Sequence, residues 1–157
     1  ENVMLGYWNQ KEETEKVIKD GWLHTGDIGE LDYNNYLKIT DRKKDIIINL
    51  GGDNISPSKI ENILCLNKFI KQSFVYGDKK NYLVALIIAE KRVEKEQINF
   101  LIQNINKNLT LIEKIKKFII SYDEFTIDNG MLTPTLKIKR KEVERNYKQQ
   151  LENLYKN

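Results

Sequence analysis

Apolar residues recur along this chain at two different periods, and each change of period marks an element. "EETEKVIKD" (Glu12 to Asp20) has the spacing of a short helix, which Gly21 is placed to end. "IGELDYNNYLKIT" alternates on both sides of Asn34-Asn35, residues that tolerate positive φ, and so predicts a hairpin. "KDIIINLGGDNISPSKIENIL" predicts a strand, a tight glycine turn and a helix. In that helix Ser56 is the natural N-cap, Pro57 costs nothing at the first position, and Ile60, Ile63 and Leu64 form the buried face. "FIKQSFVYGD" and "YLVALIIAE" predict two strands joined by the turn from Gly77 to Asn81. From Val93 to Lys117 the helical period returns, as two helices broken between Asn106 and Thr110. "FIISYDEF" predicts one more strand, and "RKEVERNYKQQLENLY" an amphipathic terminal helix.

Strands and helices without strict alternation predict an α+β fold. The 157 residues suffice for one domain, or for one domain and part of another. With 40% hydrophobic and 31% charged residues the chain can build a core, and a net charge of +3 implies neither nucleic acid nor an anionic membrane. The longest apolar run, Leu83 to Ala89, is far short of the ~20 residues of a membrane-spanning helix. The opening residues do not read as a signal peptide, being polar and acidic. One cysteine, Cys65, excludes an internal disulfide framework, fits a reducing compartment and reads as a small buried hydrophobe.

Three stretches could carry chemistry. In "GWLHTGDIGE", Asp27 follows a Thr-Gly turn, where a rigidly held carboxylate can accept two hydrogen bonds from a vicinal diol. An ordinary turn capped by Asp27 explains the same residues, and His24 has no neighbour suggesting a metal or a triad. In "DRKKDIIINLGGDNISPSKIE", Arg42 offers a planar fork of donors, and Gly51 and Gly52 permit close approach of a thin ligand. A basic strand start and a plain hairpin turn also fit, and no Lys-Ser or Lys-Thr follows to make a phosphate loop. In "LTPTLKIKR", Lys137 sits either on an edge strand with a solvated basic face or on a loop that carries its ammonium to a phosphate.

In their order, "NVMLGYW", "GWLHTGD", "DRKKDIIINLGGDNISPSKIE" and "LTPTLKIKR" resemble the carboxy-terminal motifs of the adenylate-forming superfamily of acyl-CoA synthetases, firefly luciferase and peptide-synthetase adenylation domains. "DGWLHTGDIGELD", "ITDRKKDIII" and "GMLTPTLKIKR" look most like long-chain fatty acyl-CoA synthetases. The resemblance implies that the chain, which opens without methionine, is the carboxy-terminal part of a longer one. Residues 1–42 would be a short β-rich end of the large amino-terminal domain, its strands packing poorly without that domain's sheet. Residues 43–157 would be the small mobile domain, a mixed β-sheet flanked by helices.

The resemblance also implies the chemistry. A fatty carboxylate attacks the α-phosphate of ATP to give acyl-adenylate and pyrophosphate, and the thiol of coenzyme A then displaces AMP. Asp27 would hold the ribose hydroxyls, Arg42 would contact ribose or phosphate of ATP or AMP, and Lys137 would bridge the carboxylate and the α-phosphate. Lys44 would be the hinge about which the small domain swings, and Gly51 and Gly52 would line the coenzyme A passage. No metal ligand is expected here. The Mg2+ ligands, the phosphate loop and the fatty-acyl tunnel belong to the larger domain, so the stretch alone is expected to be inactive.

Two residues depart from the common superfamily pattern: Leu136 stands where glycine often precedes the lysine, and Lys59 where an acidic residue is frequent. Two alternatives remain open. One is an adenylation enzyme for a shorter or aromatic acid, or for loading a carrier protein. The other is a small basic interaction or nucleic-acid module, against which the interleaved acidic residues argue. The resemblance further implies a cytoplasmic location, compatible with membrane association of the full-length protein at, for example, the cytosolic face of the endoplasmic reticulum.

Overall fold

The computed structural model describes residues 2–156, which divide into two units, one ending at Lys44 and the other beginning at Asp45. In the first, helix α1 (Lys11–Val17) is followed by the two-residue strands β1 (Ile18–Lys19) and β2 (Trp22–Leu23). The helix therefore ends before the predicted Asp20. Asp20 and Gly21 both adopt positive φ (52° and 79°), the geometry of an Asp-Gly hairpin turn, so Ile18 and Lys19 pair with Leu23 and Trp22 instead of continuing the helix.

Strands β3 (Asp27–Leu31) and β4 (Leu37–Arg42) form the expected antiparallel hairpin. Asp32 shapes its turn, accepting the backbone N–H groups of Asn34 and Tyr36 at 2.8 and 2.9 Å, while Asn35 takes a positive φ of 63°. Every residue of β3 is exposed, as are Leu5, Trp8, Trp22, Tyr33 and Tyr36. Among the described residues of this unit only Asp41 is buried.

The second unit opens with the short hairpin β5 (Ile47–Ile48) and β6 (Asn54–Ile55), followed by helix α2 (Pro57–Cys65). Ser56 Oγ accepts the N–H of Lys59 at 3.2 Å, as an N-cap should. The central sheet holds β7 (Ile70–Tyr76), β8 (Leu83–Ala89) and β9 (Ile115–Ser121) in that order, with β8 antiparallel to β7 and parallel to β9. A parallel neighbour needs a crossover, and helix α3 (Lys95–Lys107) supplies it. Helix α4 (Arg140–Asn153) closes the chain.

Both faces of β8 are covered, which is why it reads as an unbroken apolar run. Leu83, Ala85, Ile87 and Ala89 share one core with Ile60 and Leu64 of α2 and Ile98 and Ile102 of α3. Val84, Leu86 and Ile88 share the other with Phe74, Phe125, and Val143 and Leu151 of α4. The result is the α+β fold expected, a mixed sheet between helices.

Two expectations are corrected here. The second helix predicted before Lys117 is a single 3-10 turn, Leu111–Glu113, and the following residues extend β9 back to Ile115. Six backbone pairings to β8 outweigh the helical spacing of Leu109, Ile112 and Ile115. Cys65, the last residue of α2, is exposed as a residue and not a buried hydrophobe, although its sulfur turns toward buried Ser73. Its sulfur lies 3.3 Å from Ser73 Oγ, and burial of the thiol itself raises its pKa against the opposing pull of that hydrogen bond.

The end of α4 is tied to the sheet through Glu152, which accepts from Lys80 Nζ at 2.7 Å and Tyr76 Oη at 2.6 Å. Lys80 first, and Tyr76 after it, hold this carboxyl below the usual glutamate range. A carboxylate whose folded pKa is depressed stabilises fully above its unfolded pKa, about 4.3, and loses that contribution as the pH falls through the folded value. Glu152→Gln is therefore expected to lower the melting temperature at about pH 7, with the gap to the unaltered protein narrowing below about pH 4. Melting curves across that range check this. A gap independent of pH would mean that the charge contributes nothing.

Candidate functional site

Asp27 and Arg42 are fifteen residues apart in sequence and face each other across the β3–β4 ladder. Arg42 Nε donates to Asp27 Oδ1 at 3.1 Å. The pair is held from both sides. Gly26, at φ 74°, turns the chain into β3 and accepts the N–H of Lys43 at 2.8 Å, while Thr25 Oγ1 accepts the N–H of Asp27 at 3.1 Å. A register shift follows at Ile28/Gly29, and buried Asp41 accepts the N–H of Arg42 at 2.7 Å. Among the described residues Asp27 Oδ2 and the two terminal nitrogens of Arg42 make no hydrogen bond. An open carboxylate oxygen beside an open guanidinium edge suits a polyhydroxyl group near a phosphate.

Gly51 and Gly52 lie on the turn between β5 and β6. Asn49 and Asp53 brace it: Asn49 Nδ2 donates to Asp53 Oδ2 and Asp53 N to Asn49 Oδ1, each at 2.9 Å. Gly52 has φ 86°, a conformation strained for any L side chain, and a Cβ there would meet no atom within 4 Å. The turn is also hung on the β7–β8 connection, with Leu50 N donating to Lys80 O at 3.0 Å and Lys79 N to Ile48 O at 2.8 Å. Lys44 is exposed, at the turn where the two units divide.

Lys137 lies on a tight hairpin loop rather than on an edge strand. Leu132 and Ile138 bridge its base, Leu136 N donates to Thr133 O at 2.9 Å, and Leu136 turns the chain with φ 61°. Thr133 closes the loop twice, its N–H donating to Lys137 O at 2.8 Å and its hydroxyl accepting Lys137 N at 3.0 Å. The backbone is thus fixed while the Lys137 side chain is exposed, its ammonium making no hydrogen bond or ion pair among the described residues. It shares no hydrogen bond with the glycine turn.

Residues 44–157 match the family of AMP-binding enzyme C-terminal domains. The chain belongs to that family. Relatives of the chain include long-chain-fatty-acid–CoA ligase 5 of Mus musculus, 36% identical over 98% of this chain and 26% of the ligase. Another is long-chain-fatty-acid–CoA ligase FadD15 of Mycobacterium tuberculosis, 34% identical over 98% of this chain and 30% of that protein. The chain thus spans less than a third of the length of these relatives. Among solved structures, the adenylation domain of a carboxylate reductase from Mycobacterium chelonae superposes with a TM-score of 0.90 at 27% identity, over 98% of this chain and 26% of that one. The A-PCP didomain of the Segniliparus rugosus carboxylic acid reductase, in complex with AMP, gives 0.88 at 28% identity, over 98% and 23%.

Two contacts of this domain join residues far apart in sequence. Lys59, given no role, donates to Glu113 Oε1 at 2.6 Å. Burial pushes the Glu113 carboxyl up, but Lys59 and Thr110 together outweigh it and hold the group below the usual range. Arg140, the first residue of α4, turns inward. Its Nη1 donates to both oxygens of buried Glu61 at 2.8 and 3.0 Å, and its Nη2 to Val75 O at 2.6 Å. No local pattern could reveal partners 79 residues apart.

Proposed function

We propose that this chain is the carboxy-terminal part of an AMP-forming long-chain fatty acid–CoA ligase. Residues 1–42 would end its large amino-terminal domain, and residues 43–157 would form its mobile domain. The observation that carries this reading is the unpaired ammonium of Lys137 on a hydrogen-bonded loop, within a sequence about one-third identical to long-chain ligases. A fixed backbone with a free cation can meet the negative charge gathered where a carboxylate attacks a phosphate.

In the first half-reaction Lys137 bridges the fatty carboxylate and the α-phosphate of ATP. Asp27 accepts hydrogen bonds from the ribose hydroxyls through its remaining oxygen, and Arg42 contacts ribose or phosphate with its remaining nitrogens. Mg2+ would lower the charge of the triphosphate, its ligands lying outside this chain. Among the described residues no cluster of three His, Cys, Asp or Glu is arranged to hold a metal ion. The small domain then turns about Lys44. Gly51 and Gly52 line the passage of the pantetheine arm, whose thiol attacks the acyl carbonyl and releases AMP.

No helix among the described residues is long and apolar enough to cross a membrane. The reading takes the full-length enzyme as cytoplasmic, compatible with membrane association at, for example, the cytosolic face of the endoplasmic reticulum.

The likeness to carboxylate reductase adenylation domains favours a second reading, in which the acyl group goes to a carrier-bound pantetheine. The full-length enzyme supplied with ATP and palmitate is expected to release palmitoyl-CoA when free coenzyme A is added. Adenylate formation with palmitate, but acyl transfer only to a pantetheinylated carrier, would favour the second reading. Activation of aromatic or short acids alone would overturn the long-chain assignment.

A further inference from the structure

We infer that Glu61 and Arg140 are positioning residues for Lys137, an inference that rests on the reading of Lys137 given above. Three elements meet at this pair. Glu61 lies on α2, Val75 on β7, and Arg140 is the first residue of α4. Glu61 Oε1 accepts Val75 N–H at 2.7 Å as well as Arg140 Nη1 at 2.8 Å, so one buried carboxylate clamps a strand and a helix start together. Arg140 returns the contact by donating to Val75 O, and its guanidinium stacks 4.5 Å from the Phe74 ring. Both side chains are largely withdrawn from solvent, at 19% and 11% exposure, where such a contact is little screened.

The clamp lies three residues beyond Lys137, a length of chain that spans at most about 11 Å. Between them stand only Ile138, bridged to Leu132, and Lys139, whose N–H donates to Met131 O at 2.8 Å. The loop is therefore tied at both ends. Buried Leu132 enters it from the α4 core, and Arg140 leaves it into the clamp. Among the described residues no other side-chain hydrogen bond or ion pair of Arg140 lies toward the loop, so the clamp acts on Lys137 through backbone placement.

Arg140→Lys keeps the charge but loses the fork, and Glu61→Gln keeps the shape but loses the charge. In the full-length enzyme each is expected to slow acyl-adenylate formation, read by pyrophosphate exchange, on the order of tenfold or more, since a reacting group displaced by ~1 Å can cost about a hundredfold. Thioester release from supplied acyl-adenylate and coenzyme A should stay within about twofold, because Lys137 takes no part in that step. A clamp that only holds the domain together would lower both half-reactions alike as the folded fraction drops, and that result overturns the inference. So does full adenylation activity in both variants. Lys137→Ala, run in parallel, separates the two levels. If it abolishes adenylation while the clamp variants do not, only the positioning role falls; if it leaves adenylation intact, the reading of Lys137 falls as well.

Discussion

Replacing Lys137 by alanine in the full-length enzyme is expected to slow acyl-adenylate formation by about two to three decades, the effect of removing a ~3–4 kcal/mol electrostatic contact from a transition state. The Thr133 hydroxyl and carbonyl bond the loop backbone and not the ammonium, so the alanine variant keeps the loop. The loss should therefore appear without a fall in melting temperature. The second half-reaction, begun from supplied acyl-adenylate and coenzyme A, should run almost normally. On the proposed mechanism the small domain has by then turned and carried position 137 away. Pyrophosphate exchange and thioester release measure the two steps separately. Equal loss in both would remove Lys137 from its adenylation role, and a lower melting temperature would reassign the effect to the loop.

How far the chain could be read from sequence followed how local each cause was. The turn at Asn34-Asn35, the cap at Ser56-Pro57 and the doubly buried strand Leu83 to Ala89 each carry their reason within a few residues, and all stand where expected. The same holds for Gly52, whose positive φ fits the glycine chosen for it. Asp20-Gly21 was also legible, since the dipeptide is a strong hairpin signal, but glycine as a helix terminator competed for the same residues. The failures had distant causes. Ile115 to Lys117 carry helical spacing, and only a partner strand about thirty residues earlier makes them β9. Arg140 looks like one of several basic residues until Glu61 and Val75 are brought against it by the fold. Asp27 and Arg42 fall between these cases, because a correct hairpin register already sets them opposite one another.

Gly52→Leu is expected to show the reverse of Lys137→Ala, sparing adenylation and blocking thioester formation. The structure separates two ways in which a side chain could do harm there. A φ of 86° strains any L residue, and this backbone cost of about 1–2 kcal/mol is shared by alanine and leucine. A Cβ there meets nothing within 4 Å, so alanine adds no clash, and a difference between alanine and leucine reports bulk beyond the Cβ. Gly52→Ala should thus lose about as much stability as Gly52→Leu while keeping much more of the thioester step. Asn49, which forms the brace with Asp53, lies beyond 4 Å of the Gly52 Cβ position, and the brace should hold the turn in both variants. Melting temperatures, pyrophosphate exchange and thioester release on the two full-length variants supply the comparison. If alanine and leucine depress thioester formation equally, backbone strain is the cause and Gly52 does not line the pantetheine passage. If leucine depresses adenylation as strongly as acyl transfer, the turn serves both conformations and its assignment to the second half-reaction is wrong.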